Sequence, residues 1–162
     1  MILFSLLRES VLQDQANYSI TFTIESQLNQ ISLIRAALSG VLNHLGVVES
    51  DIFSLELAVT EIINNTLEHG YHGATDKPIE VQVRVRGADV QIDLCDKAPP
   101  FPSDQLYRLM GEPEPLEEPN EEWPTRGHGL QIVRQIVDSI ALRSDRDHNY
   151  MTITKQVGLQ AS

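Results

Sequence analysis

Apolar residues recur along this chain in two periods, and the switches between them predict a series of elements. Over residues 18–24 apolar and polar positions alternate, the pattern of a strand with one buried face. Ile31, Ile34, Leu38, Val41, Leu42 and Leu45 then fall at helical spacing, and Gly46 supplies a stop. A second helix is predicted with Asp51 as its cap and Leu55, Ala58, Val59, Ile62, Ile63 and Thr66 on its buried side. Ile79, Val81, Val83 and Val85 alternate with Glu80, Gln82, Arg84 and Arg86. After a turn at Gly87-Ala88-Asp89, Val90, Ile92 and Leu94 alternate with Gln91, Asp93 and Cys95, which predicts a hairpin with one buried face. Leu130, Val133, Ile136, Val137 and Ile140 mark a third helix. Two short strands follow, over 141–144 and 150–154. The order strand, helix, helix, strand, strand, loop, helix, strand, strand predicts an α+β fold, a two-layer sandwich with helices on one face of a sheet.

One stretch has no period. Seven of the eight prolines lie between Pro99 and Pro124, among Asp104, Glu112, Glu114, Glu117, Glu118, Glu121 and Glu122. A loop of this length inside one domain is a lid, a binding loop or a disordered segment. A short helical turn is expected over 105–110. The segment before the first strand, beginning Met1-Ile2-Leu3-Phe4, lacks the basic lead and long apolar core of a secretion signal and is too short to span a bilayer. Pairing with a partner chain, local packing and disorder all remain open for it.

Composition narrows the function classes. The chain has 162 residues, enough for one domain, and carries 23 acidic against 12 basic residues for a net charge of −11. Such a surface repels nucleic acid and anionic membranes, so neither is expected as a direct partner, while a basic protein surface is compatible with it. The single cysteine, Cys95, excludes an intramolecular disulfide and points to a reducing cytoplasm. With nothing basic beside it, Cys95 reads as a strand-end residue.

The second helix carries the candidate chemistry. Glu61 and Asn65 are four residues apart and share a face, with Glu68 and His72 near the same azimuth if the helix runs that far. A solvated face would look the same. A carboxylate and a carboxamide one turn apart can, however, jointly hold a hydrated magnesium ion through oxygen. Asp96 ends a strand, where it could accept a hydrogen bond from an adenine amino group. Gly127-His128-Gly129 precedes a helix, where glycines let backbone approach phosphate and the helix start offers unpaired N–H groups.

Together these residues resemble the bacterial anti-sigma-factor serine kinases of the GHKL superfamily. The stretch Leu57-Ala58-Val59-Thr60-Glu61-Ile62-Ile63-Asn64-Asn65-Thr66-Leu67-Glu68-His69-Gly70-Tyr71 matches the family's N box throughout. Asp96-Lys97-Ala98-Pro99-Pro100-Phe101 is similar to its first glycine box, with Ala98 where the family has glycine. Arg126-Gly127-His128-Gly129-Leu130, with the helix after it and Asp138, is similar to the second. Asn149-Tyr150-Met151-Thr152-Ile153-Thr154-Lys155 resembles the last strand, where a hydroxyl commonly touches the pocket floor. The candidate is Thr152, with β propensity the alternative reason for a threonine there.

The resemblance implies the GHKL, or Bergerat, sandwich with a mixed, mostly antiparallel sheet over 18–156, flanked by an extension over 1–17 and a tail over 157–162. It implies ATP and Mg2+ as cofactors, with Glu61 as general base and Asn65 on the metal. Asp96 and Ala98 would line the adenine site, and Arg126, Gly127, His128, Gly129 and Leu130 the phosphates, under a lid over 99–126. For Arg126 a surface position, and for His128 an outward one, are the alternatives. The activity implied is phosphorylation of an anti-anti-sigma (STAS-domain) antagonist by a regulator that also binds a sigma factor or another target. Members are often homodimers, so dimerisation is an expectation. The competing readings are an ATP-holding switch that sequesters a partner without phosphorylating it, the catalytic domain of a histidine kinase, and a structural protein without a ligand.

Overall fold

A computed structural model describes residues 17–100 and 129–161. The first strand, β1 (Asn17–Glu25), leads into α1 (Leu28–His44). Ile31, Ile34, Leu38 and Leu42 form the buried stripe of α1, and Gly46, in the left-handed region at φ 75°, turns the chain out of it. Next comes α2 (Glu49–Asn65), which buries Ile52, Leu55, Ala58, Val59, Ile62 and Ile63. Val48, rather than the expected Asp51, occupies its cap position. Asp51 lies in the first turn, where its carboxylate accepts the Gly158 N–H at 2.7 Å and pairs with Lys155 at 3.5 Å. Tertiary partners thus claim the side chain that local capping would have used.

The hairpin β2 (Pro78–Arg86) and β3 (Asp89–Asp96) follows as predicted. The third helix, α3 (Gly129–Ile136), is shorter than its apolar spacing suggested, because Ile140 belongs to β4 (Ser139–Ser144). The Asp138 N–H donates to the Thr154 carbonyl of β5 (Asn149–Gln156), and this bond to the sheet ends the helical path. Among the described residues the sheet has five strands in the order β1-β2-β3-β5-β4. Every pairing in it is antiparallel, where the family resemblance implied a mixed, mostly antiparallel sheet.

Strand parity creates the two layers. Ile79, Val81, Val83 and Val85 of β2, Val90, Ile92 and Leu94 of β3, and Met151 and Ile153 of β5 are buried in one core with the inner stripes of α1 and α2. The opposite sheet face is polar, built from Thr21, Gln82, Arg84, Gln91, Asp93, Thr152 and Thr154 in register. Beyond β5 the chain stays packed. Val157 is buried, Leu159 bridges to Val47, and the Gln160 N–H donates to the Gly46 carbonyl. No helix among the described residues is long and apolar enough to cross a membrane.

Candidate functional site

The site grows from the end of α2. Glu61 and Asn65 are half-buried on the flank of α2 away from its core stripe. The amino end of α3 comes down on that flank: a Cβ placed on Gly129 would overlap the Glu61 Oε2 and lie 3.3 Å from its Cδ. Glycine is therefore what lets the amino end of α3, with its partial positive charge, sit directly against the Glu61 carboxylate.

The α-helix does not simply stop at Asn65. Residues Thr66–Gly70 form a π-turn closed by a 2.8 Å bond from the Tyr71 N–H to the Thr66 carbonyl. Thr66 is buried there, and its hydroxyl donates to Asp96 Oδ2 at 3.2 Å. Glu68 and His72, expected near the azimuth of Glu61, are instead exposed, because the wider turn shifts the helical phase, and His72 sits at φ 49°.

Asp96 forms the floor. It ends β3 on the inward parity, buried, and three donors among the described residues meet its carboxylate: the Thr66 hydroxyl, the Asn149 amide at 3.0 Å and the Ala98 N–H at 2.9 Å. The turn that follows is anchored by Tyr71, whose hydroxyl donates to the Pro78 carbonyl at 2.9 Å and accepts the Lys97 N–H at 2.8 Å. Burial pushes the Tyr71 phenol above its ordinary value and keeps it a neutral donor, the acceptor bond from Lys97 opposing this only in part. Ala98 keeps negative φ, so the alanine at the family's glycine position bends no backbone. Its methyl lies where residue 70 has no side chain: a Cβ on Gly70 would be 2.6 Å from it.

Thr152 is the one described candidate that the fold does not bring to this place. In β5 Asn149, Met151 and Ile153 face the helices, so Thr152 faces the other way, donating to Asp93 at 2.6 Å on the polar side of the sheet. The residue that reaches the floor from this strand is Asn149, register partner of Asp96. The apolar parity of Met151 and Ile153 is the sequence signal that points Asn149 inward, while the helical spacing of Thr66 marks it only as a core position. Leu130 is half-buried beside Gly129 and packs against the core. Cys95 is half-buried, its thiol raised by burial and by the neighbouring carboxylates Glu80 and Asp96, which fits a strand residue without reactivity. Arg126, Gly127, His128, the lid beyond Pro100, the helical turn over 105–110 and the extension over 1–16 lie outside the described residues.

These features suit a nucleotide: a buried carboxylate acceptor at the end of β3, and a glycine that brings the amino end of a helix to a second carboxylate. Among the described residues no group of three or more His, Cys, Asp or Glu side chains could hold a metal unaided, so a cation at Asn65 would need phosphate and water oxygens to complete its shell.

Comparison with known proteins agrees with this geometry. A family model described as the histidine kinase-like ATPase domain matches residues 24–155. The chain is 25% identical over 130 residues to the serine-protein kinase RsbW of Oceanobacillus iheyensis, covering 80% of this chain and 82% of that protein. It is 25% identical over 126 residues to the RsbW of Bacillus thuringiensis, covering 78% of each. Among solved structures, the RsbU and RsbW domains of Rv1364c from Mycobacterium tuberculosis match at a TM-score of 0.61 and 21% identity, over 86% of this chain; the match spans only 32% of that longer chain. The SiaB-SiaC complex from Pseudomonas aeruginosa matches at 0.60 and 14% identity, over 83% of this chain and 88% of the other. At these identities the solved structures speak to the fold.

Proposed function

Because the chain belongs to the histidine kinase-like ATPase domain family, we propose that it is an ATP-dependent protein serine/threonine kinase, a partner-switching regulator of the anti-sigma type. The observation that carries this reading is the seat of the α3 amino end on Glu61, which sets a phosphate-binding feature beside the half-buried carboxylate of the N box. Glu61 takes the proton from an attacking serine or threonine hydroxyl. Gly129, with Gly127, His128, Leu130 and Arg126 before and beside it, holds the phosphates, and Asn65 offers its amide oxygen to magnesium. Bound Mg-ATP would supply the transferable phosphoryl group, with the cation offsetting charge on the phosphates. Asp96 accepts the adenine amino group, with Ala98 beside it, and the segment over 99–126 closes the site against water.

The substrate we propose is a STAS-domain antagonist. The curated relatives named serine-protein kinase support a protein substrate. Phosphorylation adds about −1.5 to −2 charges to the antagonist and releases it from this acidic partner, which then engages a sigma factor or another regulatory target. Dimerisation and a cytoplasmic setting complete the reading.

The test is incubation with labelled ATP, magnesium and a STAS-domain protein from the same cell. Transfer to a serine or threonine is expected, and Glu61→Ala should slow it by about 100- to 10,000-fold while nucleotide affinity stays within a few fold. ATP binding without transfer by the unaltered chain would turn the reading into that of a non-phosphorylating switch. A chain that binds no ATP in the presence of magnesium would overturn both.

A further inference from the structure

We propose that Asn149 is a positioning residue for nucleotide selection, holding the Asp96 carboxylate so that one defined lone pair faces a purine 6-amino group. The proposal rests on the reading of Asp96 as the adenine acceptor and adds a residue that the family motifs quoted above do not place there.

Asn149 opens β5, is 2% exposed, and stands opposite Asp96 in the sheet register. Its Oδ1 accepts the Ser144 hydroxyl at 2.7 Å, and its Nδ2 lies within reach of three acceptors: Asp96 Oδ1 at 3.0 Å, the Ala98 carbonyl at 2.8 Å and the Pro99 carbonyl at 3.1 Å. This network determines the amide's orientation. A flipped amide would aim its oxygen at three acceptors and its NH2 at the hydroxyl. One NH2 group therefore spans the carboxylate and the two carbonyls that begin the turn beyond it.

The consequence falls on the carboxylate. Oδ1 receives both Asn149 Nδ2 and the Ala98 N–H, which uses its two lone pairs. Among the described residues Oδ2 receives only the Thr66 hydroxyl, leaving one lone pair for a ligand. An exocyclic amine can donate to that open position. A purine with oxygen at the same place would set acceptor against acceptor. Without the Asn149 amide the carboxylate loses a charge-assisted bond: Oδ1 keeps the Ala98 N–H and Oδ2 the Thr66 hydroxyl, so each oxygen has one donor and one open lone pair, and the distinction between them is lost.

The experiment compares affinity for ATP and for purine riboside triphosphate, which lacks the 6-amino group, using the full chain with magnesium. The wild type should prefer ATP on the order of ten- to a hundredfold, the range of a hydrogen bond to a charged group. Asn149→Ala should lower ATP affinity about tenfold and leave the deamino analogue nearly unchanged, so that the preference collapses. A purely structural role would weaken both nucleotides alike and leave the preference intact, which would overturn the proposal. If the wild type binds neither nucleotide, it is the ATP reading that fails.

Asn149→Asp provides a second readout at nearly constant shape. A proton shared by the facing carboxylates stands in for the amide at low pH and is lost as pH rises. The preference for ATP should then fall with rising pH in this variant and stay flat in the wild type. A pH-independent preference in the variant, equal to that of the wild type, would also overturn the proposal. Melting temperatures of both variants establish that the proteins compared are folded.

Discussion

The contact between Gly70 and Ala98 predicts a compensating pair of substitutions. Gly70 lies outside the left-handed region, so alanine is conformationally permitted there and, in a helical turn, gains up to about 1 kcal/mol over glycine. The obstacle is steric. The new Cβ would stand 2.6 Å from the Ala98 Cβ, roughly 1 Å inside the usual separation of about 3.5–4.0 Å for carbon atoms. Ala98 cannot easily move away, because its N–H is held by Asp96 and its carbonyl by Asn149. Overpacking of this kind costs about 1–3 kcal/mol, so Gly70→Ala should destabilise by up to about 2 kcal/mol after the helical gain. For a chain of this size that is a fall in Tm of about 4–8 °C at the upper end. Ala98→Gly alone should cost about 1 kcal/mol, from a half-buried methyl and added backbone freedom. In the double variant the methyl simply changes sides, and the clash disappears. Urea unfolding of all four proteins should therefore give a favourable coupling of about 1–3 kcal/mol. If the two effects add within about 0.5 kcal/mol, the residues do not share one space and the account of Ala98 fails.

Two further outcomes follow from the core and from the polar sheet face. Leu42, fully buried in α1, should cost about 2–5 kcal/mol on change to alanine, read as a lower urea midpoint, whereas Phe53→Ala at a 61% exposed position should stay within about 0.5 kcal/mol. Burial alone would raise the Asp93 carboxyl, but hydrogen bonds from Arg84, Thr152 and Gln91 outweigh it and hold the group below its ordinary value. Its contribution is thus complete above the usual carboxylate range of about pH 4 and is lost as pH falls through the lower folded value. Asp93→Asn should make Tm less steep across that acid range than in wild type, and parallel curves would refute the assignment.

How much was legible depends on whether neighbours in sequence or in space decide a residue's place. The β2–β3 hairpin reads directly because one face is buried and the other wet, so the period of two survives intact. The four-residue spacing of Glu61 and Asn65 survives for the same reason, since both precede the break in α2. Ile140 deceived because it lies at helical spacing from Ile136 and Val137, while the bond from Asp138 to β5 that ends the helix is invisible locally. Thr152 has the chemistry of a pocket-floor hydroxyl but the opposite parity to Met151 and Ile153, and parity decides its face. The roles of Thr66 and Asn149 need the π-turn and the β3–β5 register, both products of tertiary assembly.

The π-turn also acts as a ruler. Its six-residue closure from Thr66 to Tyr71 stores a phase offset between the frame that orients Glu61 and Asn65 and the frame that orients Tyr71. Loss of one residue between Asn65 and Tyr71 would restore ordinary winding and swing the phenol by about 100°. The hydroxyl would then leave both the Pro78 carbonyl and the Lys97 N–H. In this stretch the chain can therefore exchange side chains far more readily than it can change length, and the number of residues from Asn65 to Tyr71 is itself part of the site.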